Sequence, residues 1–93
     1  MIYIKNGIQS WAPIAYTVDG DYVRDAYGYV VYYIRDRYIY RGNNSNGEIA
    51  YNIDGHYIRE GNNALNPIKY YINGNQIHEG SQSWSPVVYN IEF

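Results

Sequence analysis

The chain has 93 residues, no Cys and a formal net charge of −2, so neither disulfides nor thiolate metal sites supplement its core. A chain this short buries only roughly 60 to 65 % of the surface its unfolded form exposes, which puts the burden on its 46 % of hydrophobic residues. Acids and bases are interleaved without a run of like charge, which argues against a nucleic-acid partner, and no segment has the apolar length of a membrane-inserted helix.

The apolar residues are unusual in kind. Tyr supplies 14 of them against two Trp and one Phe, so packing must use rings whose hydroxyls need a partner or water. The first strand segment, Ile2-Tyr3-Ile4-Lys5-Asn6, leads into the linker Gly7-Ile8-Gln9-Ser10-Trp11-Ala12-Pro13. From there one pattern recurs: a branched aliphatic, any residue, Tyr, any residue, another branched aliphatic. It appears at Ile14/Tyr16/Val18, Val30/Tyr32/Ile34, Ile49/Tyr51/Ile53, Ile68/Tyr70/Ile72 and Val87/Tyr89/Ile91, and its tyrosines are spaced 16, 19, 19 and 19 residues apart. The period-two alternation of β-branched and aromatic residues predicts strands with one buried face. Tyr16, Tyr32, Tyr51, Tyr70 and Tyr89, with the aliphatics two places either side, are the expected core.

After each of the first four strands comes a turn signal, Asp19-Gly20, Arg35-Asp36, Asp54-Gly55 or Asn73-Gly74, suited to a type I′ hairpin turn. With those residues as the loop, Tyr16 faces Val23, Tyr32 faces Ile39, Tyr51 faces Ile58 and Tyr70 faces Ile77. The hairpins are then 14 to 25, 30 to 41, 49 to 60 and 68 to 79. The two chain ends each supply half of a fifth, residues 87 to 92 pairing with residues 2 to 6. The linkers agree, since Gly7 to Pro13 aligns without a gap on Gly80-Ser81-Gln82-Ser83-Trp84-Ser85-Pro86. A lone hairpin is marginal in water and an open stack leaves exposed strand edges. The expected fold is therefore all-β: one domain, residues 1 to 93, forming a closed ring of five hairpins of about 19 residues. A monomer is preferred over a strand-exchanged dimer.

The strings DGDYVRDAYGYVVYYIRDRYIYRG and IAYNIDGHYIREG resemble the bacterial β-flower repeats, small proteins of serial hairpins set like petals about an axis. The resemblance covers essentially the whole chain and implies a four-fold form, here with five units; it brings no activity with it. A weaker resemblance to cell-wall-binding hairpin repeats lacks their paired Trp-Tyr signature.

No nucleophile motif, phosphate loop or metal-ligand spacing occurs, so no enzyme, metal or cofactor is expected. Lys5, Arg24, Arg59 and His78, with Tyr40 in the remaining copy, share one repeat position; the next carries Asn6, Asp25, Arg41, Glu60 and Glu79, and cross-strand or neighbouring-hairpin ion pairing accounts for both series better than an anion site. Trp11 and Trp84 hold equivalent linker places. Capping the core between neighbouring hairpins is the first reading of both indoles. The competing reading is a carbohydrate or cell-envelope glycan site, Trp11 and Trp84 stacking on a sugar while Gln9, Gln82, Asn43, Asn44, Asn62 and Asn63 bond its hydroxyls. A non-catalytic binding module is the functional expectation, with a protein-interaction or assembly module as the alternative. The lack of Cys and of a basic leader followed by an apolar stretch fits a soluble protein of a reducing cytoplasm.

Overall fold

The computed structural model describes residues 1–93 and contains ten strands and no helix. They are β1 (Ile2–Asn6), β2 (Ile14–Asp19), β3 (Tyr22–Asp25), β4 (Val30–Arg35), β5 (Tyr38–Arg41), β6 (Ile49–Asp54), β7 (Tyr57–Glu60), β8 (Ile68–Asn73), β9 (Gln76–Glu79) and β10 (Val87–Glu92). All pair antiparallel into a closed barrel in which each strand neighbours the next in sequence and β1 pairs with β10. Closure takes place within one chain, with Ile4 opposite Ile91 and Lys5 opposite Asn90, so no strand edge is left open. Five hairpins result, β2–β3, β4–β5, β6–β7, β8–β9 and β10–β1, in a disc of 35 × 31 × 16 Å.

The hairpin register differs from the sequence expectation. The last ladder pair is Asp19 opposite Tyr22, so the loop is Gly20-Asp21, one residue later than expected, and Val18 faces Val23 while Tyr16 faces Asp25. The other hairpins repeat this, with Ile34 opposite Ile39, Ile53 opposite Ile58 and Ile72 opposite Ile77. The turn chemistry explains the shift. Gly20, Gly55 and Gly74 have φ near +60° while the residues that follow them do not have positive φ, which is the type II′ pattern with glycine at the first loop position rather than the expected type I′. In the second hairpin a non-glycine residue, Asp36, adopts φ 57° at that place. The aliphatics expected to face Tyr across each hairpin meet the Tyr of the next one instead: Val23 lies opposite Tyr32, Ile39 opposite Tyr51, Ile58 opposite Tyr70 and Ile77 opposite Tyr89. These contacts join hairpin to hairpin.

A bulge at every such junction overturns a second expectation. Lys5 pairs with Ile14 and Ile4 with Tyr16, which leaves Ala15 as an extra residue. Val31, Ala50, Lys69 and Val88 are extra in the same way. One inserted residue reverses which face the chain presents. Ile14, Val30, Ile49, Ile68 and Val87 therefore leave the face that carries the tyrosines, and none of them lines the barrel interior.

That interior is a cavity of about 340 Å3, lined by 17 residues that are all hydrophobic. Outgoing strands run from the linkers toward the hairpin turns, so the five tyrosines lie toward the linker end and the aliphatics of the Val18 and Val23 positions toward the turn end. The tyrosines form a closed pentagon. Tyr16, Tyr32, Tyr51, Tyr70 and Tyr89 meet in sequence and back to Tyr16 at centroid distances of 6.2 to 6.3 Å and interplanar angles of 57 to 68°, within the tilted, edge-to-face range that aromatic pairs prefer. They are only half-buried, against the expectation of a filled core. An eight-stranded barrel is about as wide as side chains can fill, and ten strands leave a hollow whose lining stays partly open.

Candidate functional site

Chain direction gathers all five linkers, residues 7–13, 26–29, 42–48, 61–67 and 80–86, at one end of the barrel. They fold outward. Ile4 points into the cavity, so its neighbour Lys5 points to the outer face, and there the Lys5 Nζ donates to the Ser10 carbonyl at 2.7 Å. The same repeat position does the same work elsewhere: Arg24 donates to the Gly28 carbonyl and Arg59 to the Asn66 carbonyl, each at 3.0 Å. His78 donates through Nδ1 to the Ser85 carbonyl at 2.7 Å. Because a carbonyl only accepts, that nitrogen carries the proton. The buried His78 Nε2 has no partner.

The circle of cations is thus a set of loop anchors. Its ion pairs are the expected cross-strand ones and are made with the turn-side ends of the outgoing strands: Lys5 with Glu92 at 3.1 Å, Arg59 with Asp54 at 3.1 Å and Arg24 with Asp19 at 3.9 Å. Antiparallel register explains it, because each cation and its acid lie on the same outer face of neighbouring positions. Where the acid is replaced, the cation is too: His78 accompanies Asn73, and Tyr40, which packs on Tyr33 and Tyr38, accompanies Arg35.

A second anchor escaped the sequence reading. Asn52 and Asn90, 2 % and 7 % exposed, are among the most buried side chains of the molecule. Asn52 Nδ2 donates to the carbonyls of Gly61 and Asn63 at 2.9 and 3.2 Å, and Asn90 Nδ2 to those of Gly7 and Gln9 at 2.9 and 3.1 Å. The available signal was the string Tyr-Asn-Ile, present in these two copies and replaced by Tyr-Thr-Val, Tyr-Tyr-Ile and Tyr-Tyr-Ile in the other three. Asn52 and His78, polar residues under the linkers, are the two most enclosed residues of this protein.

Anchored in this way, the linkers present apolar tips to solvent. Trp11 and Trp84 are each 80 % exposed, so the core-capping reading fails. The reason is geometric: the linkers curl over the outer face that carries Lys5, Asn90 and His78, away from the axis. Two other linkers carry tips just as open, Tyr27 at 88 % and Leu65 at 90 %.

The remaining candidate residues divide. Gln9 and Gln82 are exposed on the two Trp linkers, which adjoin the same closing hairpin and so are neighbours around the ring. Asn43, Asn44, Asn62 and Asn63 lie on the two linkers of a different sector. Two of these amides hold their own loops, since Asn44 Oδ1 accepts from the Asn46 amide and Asn63 Oδ1 from the Leu65 amide. Asn43 accepts from Asn44 Nδ2, and Asn62 lines a polar recess with Arg41, Glu48 and Glu60. The six amides and two indoles expected to act together are therefore split between two sectors.

The serial hairpins closed about one axis have a counterpart among known families: residues 2–93 match a family model described as 6-fold beta flower protein. The chain belongs to this family. The six-fold description replaces the four-fold form implied by sequence resemblance, while this β-flower closes with five hairpins. Comparison with curated proteins and with solved structures yields no match. No helix of the β-flower is long and apolar enough to cross a membrane.

Proposed function

We propose that this β-flower is a non-catalytic binding module that recognises carbohydrate through the two neighbouring linkers bearing Trp11 and Trp84. The observation that carries the reading is the matched 80 % exposure of both indoles on loops pinned from beneath. Burial does not explain these residues. An open Trp on a fixed loop loses little conformational freedom when a sugar ring stacks on it, and the adjacent Gln9 and Gln82 amides supply donors and acceptors for hydroxyls. The exposed tips Tyr27 and Leu65 favour a second reading, a protein-interaction surface that runs around the linker end.

Trp fluorescence titrated with cell-wall and plant-type oligosaccharides tests the first reading. A saturable shift is expected, weakened about tenfold or more by Trp11→Ala or Trp84→Ala, with circular dichroism unchanged in both variants. A flat response across the panel ends the carbohydrate reading. It leaves the protein surface, in which Leu65→Ala and Tyr27→Ser should weaken a partner as much as the Trp substitutions do.

A further inference from the structure

The axial cavity runs through the barrel interior and is built without the linkers. Its lining includes Ile2 and Phe93, the residues nearest the turn end, and no linker residue. It is therefore a bowl walled by two aliphatic positions per hairpin, with the tyrosine pentagon at its linker side and Ile2 and Phe93 at the hairpin turns. Phe93 stands at the mouth and is 81 % exposed. The rim is polar, formed by the exposed second loop residues Asp21, Arg37, His56 and Asn75.

We propose that this bowl binds the alkyl chain of a single-chain amphiphile, with the polar head held at the ring of hairpin turns. Three features select that ligand. Every lining residue is hydrophobic in type, and the only side-chain polar atoms are the hydroxyls of the five tyrosines at the linker side, so a peptide or sugar would surrender most of its hydration for few partners. The wall repeats five times about one axis, which gives a round bore that suits a chain of round cross-section and leaves two lobes empty beside a flat fused ring. The cavity, about 340 Å3, is a little over twice the roughly 150 Å3 apolar cavity that takes up benzene. That room corresponds to a chain of about ten to twelve carbons. Acids and bases are mixed on the rim, which selects a neutral head over an ionic one.

A series of n-alkanols from butanol to tetradecanol, titrated into the intact chain and followed by methyl chemical shifts of Ile34, Ile53 and Ile72, tests the proposal. Saturable shifts are expected at these methyls, with affinity rising about fourfold for each added methylene and levelling off near ten to twelve carbons. Ile34→Trp, which fills the bowl, should weaken decanol binding at least tenfold. Ile53→Phe, a smaller addition, serves the same purpose if the tryptophan is not accommodated. The proposal fails if no methyl shift saturates, or if affinity climbs by the same increment past the capacity of the bowl. It also fails if the methyl shifts depend on protein concentration in the absence of alkanol, because the bowl is then covered by a second copy of the chain.

Discussion

Asn90→Ala tests how the linkers are held. In the intact molecule Asn90 Nδ2 bridges two carbonyls of the linker that carries Trp11, Gly7 at 2.9 Å and Gln9 at 3.1 Å, from a site 7 % exposed. Each hydrogen bond contributes about 0.5 to 1.5 kcal/mol net, so losing both costs about 1 to 3 kcal/mol. For a domain of this size each kcal/mol moves the melting temperature by about 4 to 8 °C, which places the expected drop near 8 to 16 °C for a mid-range loss of about 2 kcal/mol. Asn52→Ala is the internal comparison. It removes an equivalent pair of bonds at 2.9 and 3.2 Å from the linker of residues 61–67, so its thermal cost should match. The two variants part in what they do to the indoles. Only Asn90→Ala should free the Trp11 linker, seen as faster relaxation of the Trp11 indole N–H by nuclear magnetic resonance. Thermal melts by circular dichroism provide the first readout. A loss under about 0.5 kcal/mol in both variants, or equal Trp11 mobility in the two, would refute the anchoring argument.

Two further outcomes follow from the fold. Asp36 occupies with φ 57° the turn position that Gly20, Gly55 and Gly74 hold elsewhere, and left-handed backbone costs an L-residue about 1 to 2 kcal/mol, partly offset by the looser unfolded chain that glycine gives; Asp36→Gly should therefore stabilise by about 0.5 to 1 kcal/mol in urea titration, and a lowered midpoint would count against the turn assignment. In the pentagon, burial first and the neighbouring phenols second raise the pKa of Tyr16, Tyr51 and Tyr70 above the ordinary 10.0. The folded state then holds these protons more tightly than the unfolded one. Their contribution is intact below pH 10 and is lost as pH rises from there toward the higher folded values, because the unfolded chain ionises first. The tyrosinate absorbance of Tyr16, Tyr51 and Tyr70 should consequently appear together with loss of the barrel signal, and its appearance within an intact fold would contradict the reading.

The ring itself was legible because its evidence is repeated. Five Tyr-centred strands and a half-hairpin at each chain end admit few arrangements that leave no open edge. What could not be read was anything decided by a single residue's backbone. The glycine of Asp19-Gly20 serves a type I′ or a type II′ turn equally well in sequence, and the choice between them moves the facing residue of Tyr16 from Val23 to Asp25. The extra residues at the junctions are Ala15, Val31, Ala50, Lys69 and Val88. A Pro stands two residues before the extra one in only three copies, Pro13, Pro67 and Pro86, and strict alternation carried Ile14 and its equivalents onto the wrong face. Trp11 posed a different problem, since capping and display demand the same residue in the same loop. Lys5 and Asn90 decided it by drawing the linker outward, and that long-range contact pairs residue 90 with residue 7.

The division between strand and linker also bears on where the proposed recognition would lie. The inner strand positions are held alike in every copy, because each Tyr packs on the two beside it and one substitution disturbs two contacts of a closed pentagon. Linkers face no such demand once a cation or an amide ties their carbonyls to the outer wall, and their tips differ accordingly: Trp11, Tyr27, Asn46, Leu65 and Trp84. A ligand read by the strands meets a wall repeated five times and gains no orientation about the axis. A ligand read by the linkers meets one sector unlike the other four. Under the two proposals, selectivity for a shaped, polar ligand would come from the linker end and selection by length and apolarity from the turn end, so the two surfaces should respond to different chemistry and to different substitutions.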